Sequence, residues 1–339
     1  MSEVRSQPIM QVRNLRMHFP VRSGMFGKAK GSVKAVDDVS LSLYEHETLG
    51  LVGESGCGKT TLGRCLVRAY QPTAGEILYT EGDTRVDLTP LEKRDLLPYR
   101  GKLRMICQDP YTSLNPRMTV LDILGEPMRI LERASGKEVE ARVARLLTQV
   151  GLRPEYMRRY PHAFSGGQRQ RIGIAHAIAT SPRIIVADEA VSALDVSVRA
   201  QILELFQQLA ADLGLTFLFV SHDLSVVEYI ADRVAVMYVG HLVEVATTAD
   251  LYGTPKHPYT EALMSAVPVA NPRRHAERIV LEGDVPNPAN PPSGCTFHPR
   301  CRYATDVCAT EVPELRTVGE GHQVACHRAE ELSLRGVRG

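Results

Sequence analysis

Ser165-Gly166-Gly167-Gln168-Arg169-Gln170-Arg171 is the stretch on which the reading of this chain turns. Ser165 is a strong helix N-cap residue, and the glycine amides behind it would present an anion site at a helix start. Upstream lies Gly53-Glu54-Ser55-Gly56-Cys57-Gly58-Lys59-Thr60, preceded by the apolar run Leu49–Val52 and followed by a helix expected over Thr60–Ala69. In that strand–loop–helix order, glycines let backbone amides approach phosphates closely, Lys59 can pair with the β/γ-phosphates, and the Thr60 hydroxyl can ligate Mg²⁺. Downstream, the apolar run Ile184-Ile-Val-Ala ends in Asp188-Glu189. A carboxylate closing a buried strand is costly unless it faces a cation or donors, so Asp188 is a candidate Mg²⁺ ligand. Glu189 is the candidate base for an attacking water.

Taken together, in this order and spacing, the motifs resemble the nucleotide-binding domain of an ABC ATPase. The resemblance spans about residues 8–250. It implies an α/β P-loop NTPase fold with a helical insert at about 109–164 inside an ATPase domain at 8–253. It further implies that the phosphates lie on Gly53, Ser55, Gly56, Cys57, Gly58, Lys59, Thr60 and Thr61. Ser165, Gly166, Gly167 and Gln168 would close over the ATP of a second subunit. By the same resemblance, Gln108 is the glutamine that reaches the metal and the attacking water. Asp195, in Ser192-Ala-Leu-Asp195, belongs to the loop crossing the dimer interface. His222 contacts the γ-phosphate, and Phe19 stacks on adenine, with His18 as its neighbouring competitor. Two positions depart from the family pattern: Ala190 stands where proline is usual and His176 where arginine is common. Neither removes a catalytic group, so hydrolysis is still expected.

Strands alternating with helices support a parallel α/β sheet. Ile9–Arg13 and Val33–Leu43 read as strands, with a glycine- and lysine-bearing loop from Gly24 to Gly31 between them. Val198, Ile202, Leu205, Phe206 and Leu209 mark one face of a helix before the strand Leu215–Val220. Val234–Val245, interrupted at Gly240, reads as a hairpin.

From Thr254 the chain becomes proline-rich and loses periodicity, which marks a small second domain at 254–330. His257-Pro-Tyr-Thr-Glu-Ala-Leu263, the prolines from Pro286 to Pro292, and Gly294-Cys295-Thr-Phe-His-Pro-Arg-Cys301 resemble the C-terminal extension of oligopeptide/dipeptide importer ATPases. That branch also includes nickel and glutathione importers. The P-loop with Cys57, followed by Thr61-Leu-Gly-Arg64, looks most like the F-type ATPase subunit of dipeptide importers.

Four cysteines crowd the tail in the pattern Cys295-x5-Cys301-x6-Cys308-x17-Cys326. The spacing lacks the Cys-x2-Cys knuckle of structural zinc, and the four thiols could hold an iron–sulfur cluster, hold zinc or stay unligated. The resemblance implies a [4Fe–4S] cluster on Cys295, Cys301, Cys308 and Cys326, stapling a domain too small to bury its own core. Cys57 and Cys65 read as packing residues.

Lys+Arg total 40 against 39 Asp+Glu, so composition gives no push toward nucleic acid. No apolar run approaches the roughly 18–20 residues needed to span a bilayer, and the first residues do not read as a signal peptide. The expected protein is cytosolic and reaches the membrane through partners. The resemblance implies those partners: a second ATPase subunit in a heterodimer, two transmembrane permease subunits, and an extracytoplasmic solute-binding protein. The expected function is ATP hydrolysis energising import of dipeptides or oligopeptides from the cytoplasmic face of the inner membrane. Nickel or glutathione import by the same motor is the alternative. A soluble ABC machine of translation or DNA repair is a third reading, opposed by the single ATPase module, the lack of a basic stripe and the character of the tail.

Overall fold

The structure is a computed structural model that describes residues 7–23, 28–109, 114–267 and 278–337. It divides into two compact units.

One unit comprises Tyr44–Glu47 and Pro90–Val220. Its sheet carries Leu103–Ile106, Ile184–Asp188 and Thr216–Val220 side by side, all parallel. Ile184–Asp188 and Thr216–Val220 are buried at every position, which is why they read as unbroken apolar runs instead of alternating ones. The helix Val196–Leu213 buries Ile202, Leu203, Leu205, Phe206 and Leu209. Phe206 meets Phe217 and Phe219 edge-on at 5.6 and 5.7 Å, locking helix to strand. Between the first two strands the chain is helical at Val120–Pro127, Met128–Glu132 and Gly136–Gln149. Thr119 and Ser135 cap the first and last of these through their side-chain oxygens.

The other unit comprises Pro8–Leu43, Thr48–Thr89 and Ser221–Gly339. Met10–Ser23 pairs antiparallel with both Lys28–Leu43 and Ala74–Glu81, and Ala74–Glu81 pairs with Thr84–Asp87. The first two strands are longer than the sequence suggests. Lys28, Lys30 and Gly31 belong to a strand and not to the expected loop, whose residues 24–27 lie outside the described residues. Long ladder pairing overrides the weak local propensity of glycine and lysine.

In the same unit, Thr48–Val52 runs parallel to Arg233–Tyr238. Arg233–Tyr238 turns back as His241–Thr247. The turn is the two-residue loop Val239-Gly240, with φ of +42° and +82°, as a tight hairpin requires. The sheet continues into the tail, because His322–Val324 pairs with His241–Thr247 and Arg316–Gly319 pairs with His322–Val324. The tail also shares its apolar core with the hairpin: Phe297 and Tyr259 pack with Val52, Val236, Tyr238 and Val243. The expected need for a cluster to replace a missing core is thus met in part by this shared burial. Among the described residues no helix is long and apolar enough to cross a membrane.

Candidate nucleotide site

The P-loop follows the buried strand Thr48–Val52 and opens the helix Lys59–Leu66. Two of its glycines are obligatory on steric grounds. A Cβ on Gly53 (φ +150°) would lie 2.1 Å from the Met237 carbonyl oxygen, and one on Gly58 (φ +107°) would lie 1.9 Å from that of Ala35. Gly240 N–H donates to the Cys57 carbonyl at 2.9 Å, so the hairpin tip braces the loop. Lys59 is 5% exposed, and its Nζ donates to the carbonyls of Gly53 at 2.7 Å and Glu54 at 3.0 Å. Cys57 is buried beside Lys59, and burial pushes its thiol pKa up, supporting a packing role. The buried Cys65 thiol is likewise pushed up to about 12. Ser55 and Gly56 are exposed, and Thr60 and Thr61 half-buried.

The helix ends three residues earlier than expected. Arg68 adopts φ +54° and turns its guanidinium onto the carbonyls of Leu88, Tyr70 and Thr89. In the same unit Phe19 is half-buried and meets Tyr70 edge-on at 5.7 Å. The competitor His18 is committed elsewhere, its Nε2 lying 3.0 Å from Asp37 Oδ1. His222 is exposed, between Ser221, whose N–H donates to the Leu51 carbonyl, and Asp223, which caps the helix Leu224–Ile230.

The hydrolytic candidates meet in the other unit. Asp188 closes its strand at 3% exposure. Glu189 sits at φ +48°, a strained conformation for a non-glycine residue. Its N–H donates to the Val220 carbonyl at 2.9 Å, and its carbonyl accepts from Ser192 N–H at 3.1 Å and Ser192 Oγ at 2.9 Å. These bonds hold the carboxylate where Gln108 Nε2 donates to its Oε2 at 2.7 Å. Ala190, where proline is usual in the family, is buried.

The signature forms a reciprocal capping box at the start of the helix Gly166–Ile178. Gln168 N–H donates to Ser165 Oγ at 3.3 Å, and Ser165 N–H donates to Gln168 Oε1 at 3.1 Å. A Cβ on Gly167 would lie 2.6 Å from Val198 Cγ1, so a side chain there requires Val198 to shift. Asp195 stands exposed at the N-cap of Val196–Leu213, where Val196 is 80% exposed. His176 lies within the signature helix, where burial and then the Arg104 charge push its pKa down to about 4. A neutral imidazole therefore stands there, and a second guanidinium would face Arg104.

In the tail, Cys295, Cys301, Cys308 and Cys326 all border one small apolar cavity together with Phe297 and Leu332. Burial, with repulsion from neighbouring thiols, pushes Cys295, Cys301 and Cys326 up to about 11. Yet among the described residues no three His, Cys, Asp or Glu side chains are grouped so as to hold a metal ion.

Comparison with known proteins gives the family. Residues 36–192 match the family described as ABC transporter, and residues 243–308 match the oligopeptide/dipeptide transporter C-terminal region. The oligopeptide transport ATP-binding protein AppF of Bacillus subtilis is 49% identical over 329 residues, covering 96% of this chain and 99% of that protein. The chain belongs to the ABC transporter ATP-binding proteins of the oligopeptide/dipeptide branch. Among solved structures of the wider family, the ATP-binding cassette MJ0796, a dimer in a post-hydrolysis state with ADP and Pi, is 26% identical. It aligns with a TM-score of 0.61 over 70% of this chain and 98% of that one. A second dimeric structure of MJ0796 aligns at 0.62 with the same identity and coverage.

Two features escaped sequence reasoning. One is the hairpin Ala74–Glu81/Thr84–Asp87, signalled by Gly82-Asp83 between its strands. The other is the link from the cysteine segment to the P-loop through Arg300 and Glu54, for which no local signal exists.

Proposed function

We propose that this chain hydrolyses ATP to energise import of short peptides through a binding-protein-dependent transporter. The observation that carries the reading is the end-to-end similarity to an oligopeptide transport ATP-binding protein, C-terminal region included. Gly53–Thr61 cradle the phosphates through loop amides, Lys59 neutralises their charge, and Phe19 stacks on adenine. Glu189, oriented by Gln108, polarises the attacking water, and His222 senses the γ-phosphate. By the family resemblance, Thr60, Asp188 and Gln108 are the residues that would hold Mg²⁺, which would neutralise charge on the phosphates. Ser165–Gln168 and Asp195 serve a partner ATPase, a paralogue of this chain in a heterodimer. The pair works on the cytoplasmic face of the membrane beneath two permease subunits, with the helical segment 109–164 as their contact surface.

The tail, residues 254–330, holds a [4Fe–4S] cluster on Cys295, Cys301, Cys308 and Cys326. What supports the reading is that all four border a common cavity. When bound, the cluster cross-links the tail. Iron and sulfide content and visible absorption of anaerobically purified protein test this: both should vanish in Cys326→Ser, and iron-free wild type would refute it.

The function is tested by uptake of labelled di- and tripeptides in cells lacking this chain. Wild type should restore uptake and Glu189→Gln should not. Normal peptide uptake without the chain, in cells with no redundant importer, would keep the motor and move the solute to nickel, glutathione or another substrate.

A further inference from the structure

Arg300 stands in the segment Cys295-Thr-Phe-His-Pro-Arg-Cys301, which supplies two of the four cysteines, but it does not line their cavity. Its side chain is only 7% exposed. Nη1 donates to Glu54 Oε2 at 2.8 Å and Nη2 to Oε1 at 3.2 Å, a bidentate fork on a carboxylate 246 positions away in sequence. Glu54 is the second residue of the P-loop. Its backbone is held as well: its N–H donates to the Tyr259 hydroxyl at 2.8 Å, and its carbonyl accepts from Lys59 Nζ.

Tyr259 is fully buried, with Phe297 at 5.4 Å and Tyr238 at 4.6 Å between ring centroids. Phe297 belongs to the same cysteine segment. That segment therefore reaches the P-loop by two routes, Arg300 to the Glu54 carboxylate and Phe297 through Tyr259 to the Glu54 amide. An acidic side chain beside a phosphate-binding loop works against its task, because an uncompensated carboxylate repels the incoming anion. A guanidinium fork cancels that charge and fixes its direction, and removing one member of such a shielded pair leaves the other exposed to its surroundings without a counter-charge.

We propose that Arg300 is a positioning residue for nucleotide binding, neutralising and anchoring Glu54 so that the P-loop accepts phosphate. The C-terminal region thereby becomes part of the nucleotide site's support. This inference rests on the reading that the P-loop binds ATP.

The test is the affinity of the full chain for a fluorescent ATP analogue, with melting temperature and iron content followed in the same preparations. Arg300→Ala should weaken binding roughly tenfold, and adding Glu54→Gln should bring it back to within about threefold of wild type. Arg300→Lys, which keeps the charge but loses the fork, should fall between. If Arg300→Ala does not fold, Arg300→Lys with and without Glu54→Gln gives the same comparison. Unchanged affinity on losing Arg300, or a loss that Glu54→Gln does not relieve, would overturn the proposal. Wild type that fails to bind the analogue, or Lys59→Ala that binds it equally well, would instead defeat the ATP reading itself.

Discussion

The Gln108 side-chain amide donates to the Glu189 carboxylate at 2.7 Å, joining the loop after one parallel strand to the end of its neighbour. Glu189 reaches that position only by adopting φ +48°, held by the Val220 carbonyl and by Ser192. A strained backbone kept in place by three hydrogen bonds is an arrangement that orients a carboxylate before substrate arrives. Glu189→Gln should retain ATP binding while phosphate release slows about 100-fold or more. Gln108→Ala should slow it less, on the order of tenfold, since the base survives but loses its orientation. Steady-state phosphate release beside nucleotide binding checks both, and unchanged turnover in Glu189→Gln would remove it from the chemistry.

The capping box makes a separate, structural prediction. Ser165→Ala leaves orphan amides at the first turn of Gly166–Ile178 and should cost about 1 kcal/mol. Because Gln168 closes the same box from the other side, Ser165→Ala and Gln168→Ala should be non-additive in a urea double-mutant cycle. Additive losses would show that the two bonds do not act as a unit.

The P-loop glycines should differ in tolerance. Gly58→Ala drives a methyl into the Ala35 carbonyl and should cost at least about 2 kcal/mol and abolish nucleotide binding. A Cβ on Gly56 meets nothing within 4 Å, so Gly56→Ala should cost only the strain of φ +80°, about 1–2 kcal/mol. Thermal melts of the two variants check the order.

His176 predicts a pH effect. Its folded pKa, about 4, lies below the ordinary 6.5 because burial, and then Arg104, oppose its charge. Between those values the unfolded chain binds the extra proton, so this residue makes stability fall as pH drops from 6.5 toward 4. The loss is at most about 3 kcal/mol. His176→Gln should flatten that part of the stability profile, and His176→Arg should destabilise at neutral pH by facing Arg104 with a like charge. An unchanged pH slope in His176→Gln would place the titration elsewhere.

Much of the candidate site was legible because its chemistry is contiguous. Ser165–Gln168 caps a helix with residues three apart, and Gly53–Thr60 takes its shape from glycines whose positions are local requirements. The apolar runs Ile184–Ala187 and Leu215–Val220 could be recognised as strands since burial on both faces leaves no polar alternation to confuse them. Phe19 was the stacking candidate and His18 its neighbouring competitor; what sequence could not show is that His18 Nε2 lies 3.0 Å from Asp37 Oδ1. The early end of the P-loop helix was hidden for the same reason, because Arg68 turns toward carbonyls twenty residues away.

By itself the sequence determined the P-loop ATPase architecture and the branch signalled by the tail, and it named the candidate catalytic side chains. These depend on short motifs whose geometry follows from nearby covalent neighbours. Tertiary structure alone decided that Gln108 meets Glu189, that the four cysteines share one cavity, and that Arg300 grips Glu54. Each of these joins residues far apart in the chain. Strand pairing and shared burial select such partners, and no local spacing encodes them.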